Sequence, residues 1–254
     1  MRGCSTRLVA SWIAAGLTLV VAGESVAGQS DRPLPSADGL ACAPRLGSLD
    51  ASPVGRLVGA PDNALQQLFK QGDAVLIDVG ASSGVAVGTQ FFMRRRVPVM
   101  APALRDRGML AELTTGWLRT VEVEEHAALA VIERTCADVQ QDDQLAPFQW
   151  PAPVTPMATG AISYDDPATV LFGADGRSLS AAGQLFVIDQ GTDHGLAIGQ
   201  RVTIFRHGAA GPDGPVIELG EGIAVLAEAT SATIHLSRSR QSVKTGDRVA
   251  MQRP

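Results

Sequence analysis

Aromatic side chains are scarce, at 4% of 254 residues. That leaves little material for the stacked-ring platforms on which glycan-binding surfaces depend. Trp117 and Trp150 are the only tryptophans beyond residue 27. Positive charge is also in short supply. The formal charge is −5 and the isoelectric point about 5.4, so there is no basic footprint and no nucleic-acid partner is expected. The histidines, His126, His194, His207 and His235, share no metal-ligand spacing with a cysteine or with one another. No metal site and no cofactor are expected. Past residue 23 no apolar run is long enough to cross a bilayer as a helix.

The long apolar run that does exist lies at the start. Arg2 and Arg7 precede an uncharged stretch over residues 8–23, and Ser25-Val26-Ala27 satisfies the small-x-small cleavage rule. Residues 1–27 read as a signal peptide cut after Ala27, which places the protein in the periplasm or outside the cell. The alternative is an uncleaved anchor, for which the run is short. Cys4 leaves with the signal. Cys42 and Cys136 remain, and outside the reducing cytoplasm such a pair is expected to form a disulfide; two free thiols are the alternative.

A repeat dominates what is left. Residues 72–95 return as residues 183–206 at an offset of 111, with Gly72/Gly183, Ile77/Ile188, Asp78/Asp189, Gly80/Gly191, Gly84/Gly195, Ala86/Ala197, Gly88/Gly199 and Arg95/Arg206 identical. Downstream the offset falls to 104, and Val121/Val225, Glu124/Glu228, Ala128/Ala232, Arg134/Arg238, Val139/Val243, Asp143/Asp247 and Ala146/Ala250 are identical. The first copy therefore carries a longer connection after Arg95, which a surface loop absorbs. Short apolar runs such as residues 74–78 and 185–189, bounded by glycine, read as buried strands. Asp78, Gly80, Gly84 and Gly88, with Asp189, Gly191, Gly195 and Gly199, read as turn formers: aspartate accepts backbone N–H bonds and glycine accepts positive φ.

The expected fold is all-β, with two tandem small β-barrel-like repeats joined by a Pro-rich linker and one short helix near the start of the first. The boundaries expected are 28–60 for an extended entry segment, 61–148 for the first repeat, 149–158 for the linker and 159–254 for the second. Pro61 and Asp62 suit a helix start, and Leu65, Leu68 and Phe69 fall on one side, so the helix is placed at 62–69. Residues 160–164 and 169–172 look like two separate strands leading into the second repeat. The linker holds Pro147, Pro151, Pro153 and Pro156 close together and is expected to be semi-rigid.

Chemistry-bearing motifs reduce to turns. Gly80-Ala-Ser-Ser-Gly84 matches the G-x-S-x-G nucleophile elbow, but that motif needs a helix after it, and the second copy, Gly191-Thr-Asp-His-Gly195, has no serine. His194 reads as a solvated turn residue. Glu122, Glu124 and Glu125 read as a solvated strand face. Arg94, Arg95 and Arg96 read as a solvated strand end that discourages edge pairing, with contact to an anionic partner as the alternative. No catalytic residue is expected.

The repeated pattern, together with Asp142-Asp143-Gln-Leu and Gly246-Asp247-Arg-Val, resembles the C-terminal domain of the flagellar assembly protein T, a periplasmic ring component. It is more weakly similar to the paired small barrels of the rod-shape-determining protein C, and uncharacterised exported bacterial proteins share it. The resemblance covers about residues 70–148 and 180–252, and implies scaffolding and binding rather than catalysis. The expected role is a non-enzymatic exported cell-envelope protein, a scaffold or interaction module in a periplasmic assembly, with envelope proteins as partners. A peptidoglycan- or glycan-binding role is the alternative, and a hydrolase a remote one.

Overall fold

The structure is a computed structural model and describes residues 31–47, 53–99, 110–208, 211 and 214–253. The expected signal peptide and its cut after Ala27 lie outside the described residues. A five-residue helix, α1 (Ala37–Ala41), opens the described chain, its first turn closed by Ser36, whose side chain accepts from Gly39 N–H at 3.3 Å. The rest of the regular structure is β, apart from three short 3₁₀ turns among the described residues.

The first half contains β1 (Arg45–Gly47), β2 (Gly55–Gly59), β3 (Leu68–Phe69), β4 (Ala74–Ile77), β5 (Gln90–Pro98), β6 (Leu110–Val123), β7 (Ala128–Thr135), β8 (Val139–Gln140) and β9 (Gln144–Pro147). Strands β5, β6, β7, β4, β2 and β9 pair in that order, and β9 returns to β5, so the sheet forms a ring; β1 is appended to β6. The second half contains β10 (Ala161–Gly173), β11 (Leu179–Ser180), β12 (Leu185–Ile188), β13 (Arg201–His207), β14 (Val216–Ala227), β15 (Ala232–Ser239), β16 (Val243–Lys244) and β17 (Arg248–Arg253). These close into a barrel in the order β13, β14, β15, β12, β10, β17. Matched by the repeat, the two orders are the same. The short pairs β3–β8 and β11–β16 also correspond.

The cores follow the duplication. Leu57, Val75, Ile77, Val85, Phe91, Met93 and Ile132 fill the first ring; Val170, Phe186, Ile188, Leu196, Val202, Ile204 and Leu236 fill the same places in the second. Volume is traded between neighbours. Val75 becomes Phe186, while Phe91 becomes Val202 and Leu118 becomes Gly222, where a Cβ would lie 2.6 Å from Ile234. Such compensated exchanges keep packing density at little cost.

Three expectations are corrected. Residues 62–69 are not helical. Asn63 accepts Leu65 N–H on its side chain at 3.1 Å and Gln66 N–H on its carbonyl at 3.1 Å, a turn that competes with helix, and Phe69 is drawn into β3 against Val139. The one α-helix near the start is α1, within the segment expected to be extended, which also supplies β1 and β2. The two strands expected over 160–172 are one, β10, whose pairing to β17 slips between Ser163 and Ala168, a stretch that holds Pro167, which has no N–H for the ladder.

Two features join the halves. Val99, Ala111, Leu171, Phe172 and Val187 form a separate buried apolar cluster drawn from both barrels. Residues 31–47 run across both as a strap. On the first barrel Cys42 is disulfide-bonded to Cys136 (Cα–Cα 5.6 Å) and β1 pairs with β6. On the second, Pro44 O accepts from Thr233 Oγ1 at 2.7 Å, Arg45 lies 3.4 Å from Glu228, and Arg32 N–H reaches Ser237 O at 2.8 Å. The Pro-rich linker is fastened as well: Met157 donates to Gly199 O at 2.8 Å and accepts from Arg201 Nε at 3.1 Å. Among the described residues no helix is long and apolar enough to cross a membrane.

Candidate functional site

The turn glycines and the aspartates that the copies share are engaged in bending and bracing the backbone. Gly80 and Gly191 sit where a Cβ would lie 2.2 Å from Glu124 O and 1.9 Å from Glu228 O. Gly84 and Gly195 have φ of 78° and 80°, Gly88 and Gly199 both 89°, in the left-handed region. Asp78 accepts Arg56 N–H at 2.6 Å and Asp189 accepts Thr169 N–H at 2.5 Å. Both donors belong to the adjacent strand rather than to the aspartate's own turn, so each carboxylate clamps β4 to β2, or β12 to β10.

A second shared device connects residues that the sequence displays only as isolated identities. Arg95 grips Asp143 through Nε at 2.7 Å and Nη2 at 2.8 Å, and Arg206 grips Asp247 with the same two atoms at the same distances. The hydrogen bonds to Asp247 hold the Arg206 guanidinium above its ordinary value, against the opposing effect of burial. Asp143 also accepts from Thr115 Oγ1 at 2.8 Å and Gln140 N–H at 3.0 Å; Asp247 accepts Lys244 N–H at 2.7 Å. A partial signal was there: two arginines and two aspartates are kept in both copies, and Arg95 with Asp143 lie on strands, β5 and β9, that meet when the ring closes.

The candidates for catalysis are placed as follows. Ser82 Oγ donates to Glu125 O at 2.7 Å and lies 3.1 Å from His126 Nδ1. With its proton directed to a carbonyl, the hydroxyl can only accept from His126. That is the reverse of general-base activation. Among the described residues His126 has no carboxylate partner, and the segment after Ser82 is a short 3₁₀ turn followed by β5. His194 is exposed in the matching turn. His207 approaches Gly214 O through Nδ1 at 3.4 Å, and its ring meets Phe205 edge-on. His235 is buried on β15, and burial lowers its pKa. Among the described residues no group of three metal-ligating side chains occurs. Glu122, Glu124 and Glu125 are exposed.

The arginine run departs from the solvated strand end expected of it. Strand alternation turns Arg95 to Asp143 and sends Arg94 and Arg96 to the outer face, both half-buried against Glu112, at 2.7 and 3.8 Å. Arg94 stacks over the Phe92 ring at 5.3 Å. Phe92 begins a cluster of four rings. Phe148 is 4.6 Å from it, Trp117 is 5.9 Å from Phe148, and Trp150 is 5.2 Å from Phe148 and 49% exposed. The disulfide lies against the same cluster. Beside Arg94 opens a groove of about 190 Å³, lined by Pro53, Val54, Arg96, Glu112 and the strand β9.

This face belongs to the first barrel alone. At the matching places the second barrel has Thr203 for Phe92, Phe205 for Arg94, His207 for Arg96, Val216 for Glu112 and Glu221 for Trp117. The barrel therefore folds without the aromatic–arginine set. No protein-family model matches the chain, and no curated protein matches it significantly.

Proposed function

We propose that the protein is a non-enzymatic, exported component of the bacterial cell envelope that acts as a scaffold or interaction module in a periplasmic assembly. The observation that carries this reading is the division of labour between the copies. The glycines and charged residues they share that are described above are engaged in the fold, and the half-buried aromatic–arginine face is a departure made by one copy only. A disulfide, and halves fastened by a strap and an apolar seam, suit a rigid body that presents a surface. In-cell crosslinking followed by mass spectrometry tests it. Recovery of defined envelope proteins is the expected result; a clean blank, under conditions that recover known complexes, overturns it.

A second reading has one observation in its favour. Trp150, half-exposed at the end of the ring cluster, is the kind of side chain that stacks on a sugar. Co-sedimentation with purified sacculi, lost on Trp150→Ala, would replace the first reading with peptidoglycan binding.

A further inference from the structure

The two barrels meet through unlike surfaces, and the duplication leaves one surface of each kind free. In the seam, Val97, Val99, Ala111 and Leu113, at the tip of the β5–β6 hairpin, pack on Leu171, Phe172 and Val187 of β10 and β12. Ladder register carries both surfaces to the other copy. Gly59 pairs with Leu76 as Phe172 pairs with Val187, so the β2–β4 face of the first barrel presents Val58, Gly59 and Leu76 where the second presents Leu171, Phe172 and Val187. Arg95 pairs with Leu113 as Arg206 pairs with Ile217. The β13–β14 tip of the second barrel therefore presents Pro215, Val216 and Ile217 where the first presents Ala111, Glu112 and Leu113.

Neither of these matched surfaces is covered. Leu171 is 2% exposed, whereas Val58 is 41% exposed, and a Cβ on Gly59 would meet nothing within 4 Å. Beside Leu76 lies a groove of about 230 Å³, lined also by Pro61, Ala128 and Leu129, with Glu122 and Glu124. On the tip, Val216 and Ile217 are 42% and 40% exposed. The exchanges are reciprocal: the free face has glycine where the covered face has a phenyl ring, and the free tip has proline for alanine and valine for glutamate.

We propose that the β13–β14 tip of one molecule docks on the β2–β4 face of a second copy of this chain, repeating between molecules the contact that joins the barrels within one. A tip on an unlike face is a heterologous contact. Each molecule added keeps one free surface of each kind, so association continues head to tail. Docking removes apolar surface from water on both sides. The contact is weaker than the intrachain seam, because two aids are missing. The strap has no counterpart, since the segment ahead of the second barrel is fastened to Gly199, and Glu124 gains no equivalent of the Arg45 that pairs with Glu228. Nor does a covalent connection raise the local concentration. No envelope partner is needed, so the purified protein alone suffices for the test.

Expressed from its full reading frame and purified in the form the cell leaves, the protein is followed by sedimentation velocity from about 10 μM to about 1 mM, the range for an untethered contact of this kind. The mean mass should climb with concentration and show no plateau at the dimer. Val58→Asp and Ile217→Asp, both at exposed sites, put a carboxylate into the contact and should each weaken association about tenfold or more. Mixed in equal amounts, the two variants should form a dimer and nothing larger, because the mixture holds one intact tip and one intact face. Ile198→Asp, beyond the opposite end of β13, should change nothing, and far-UV circular dichroism confirms that each variant is folded. A monomer throughout, association untouched by either variant, or a mixture that stays monomeric overturns the proposal. So does a wild-type plateau at the dimer, which marks a symmetric contact through another surface. Any of these leaves the envelope reading standing, because crosslinking in cells tests that separately.

Discussion

Replacing Arg95 with methionine takes away the cation and keeps most of the apolar stem. Asp143, 1% exposed in its side chain, is then left as a buried carboxylate with two neutral donors, Thr115 Oγ1 and Gln140 N–H. Leaving one charge of a buried pair uncompensated costs roughly 3–5 kcal/mol. At about 2–4 °C per kcal/mol for a chain of this size, the midpoint should fall by at least about 6–12 °C. Arg206→Met should act similarly, since Asp247 is 5% exposed and keeps only Lys244 N–H. Urea denaturation followed by two probes tests whether the halves unfold as one unit. Trp117 lies in the first barrel and Trp150, in the linker, packs against Trp117 and Phe148, so fluorescence reports that half, with Trp12→Phe removing the tryptophan outside the described residues, while far-UV circular dichroism reports both. Because the strap and the apolar seam join the halves, both probes should shift together in either variant. Asp143→Asn added to Arg95→Met should recover part of the loss by discharging the orphaned group. A change below about 1 kcal/mol for Arg95→Met, or further loss on adding Asp143→Asn, would refute the bracing role.

Other outcomes follow from the same structure. Cys42→Ser with Cys136→Ser opens a loop of 94 residues, for which chain entropy gives a loss of about 4–5 kcal/mol, measured by urea titration under oxidising conditions. Gly191→Ala drives a Cβ into Glu228 O and should destabilise by about 3 kcal/mol or more, whereas Gly195→Ala meets open space and should cost only its left-handed backbone, about 1–2 kcal/mol, on thermal melts. His235, 1% exposed with Nδ1 unpartnered, has a folded pKa below its ordinary 6.5, so the unfolded chain takes up the proton first. Its contribution is complete above pH 6.5 and is lost as pH falls towards the folded value, at no more than about 1.4 kcal/mol per pH unit. His235→Gln should remove that component from the stability–pH curve.

The sequence displays the fold well and the candidate site hardly at all. The glycine series announces two copies of one β unit, because backbone geometry restricts residue choice most at turns. Cys42 and Cys136 are an even pair, and the structure joins them. The mis-placed helix at 62–69 shows the opposite case: Leu65, Leu68 and Phe69 have helical spacing, yet one asparagine side chain and the pull of Val139 on Phe69 decide the segment. The arginine run hides its own division, since the sequence shows the alternation along β5 but not that Asp143 waits on one side for Arg95 and Glu112 on the other for Arg94 and Arg96. The ring cluster is gathered from residues 92, 117, 148 and 150, a juxtaposition that only ring closure makes. The strap has no periodicity to read, because it serves two surfaces by isolated bonds.

That strap has a consequence for the timing of assembly. Its contacts bridge great distances along the chain: Thr233 to Pro44 spans 189 residues and Arg45 to Glu228 spans 183. The part made early therefore cannot finish docking until nearly everything else has been synthesised and the last barrel has closed. Long-separation contacts form late because loop closure must precede them. Until then the disulfide to Cys136 and the β1–β6 pairing hold the strap to the first barrel alone, and a chain cut short near residue 230 would leave Arg32 and Pro44 without their partners Ser237 and Thr233.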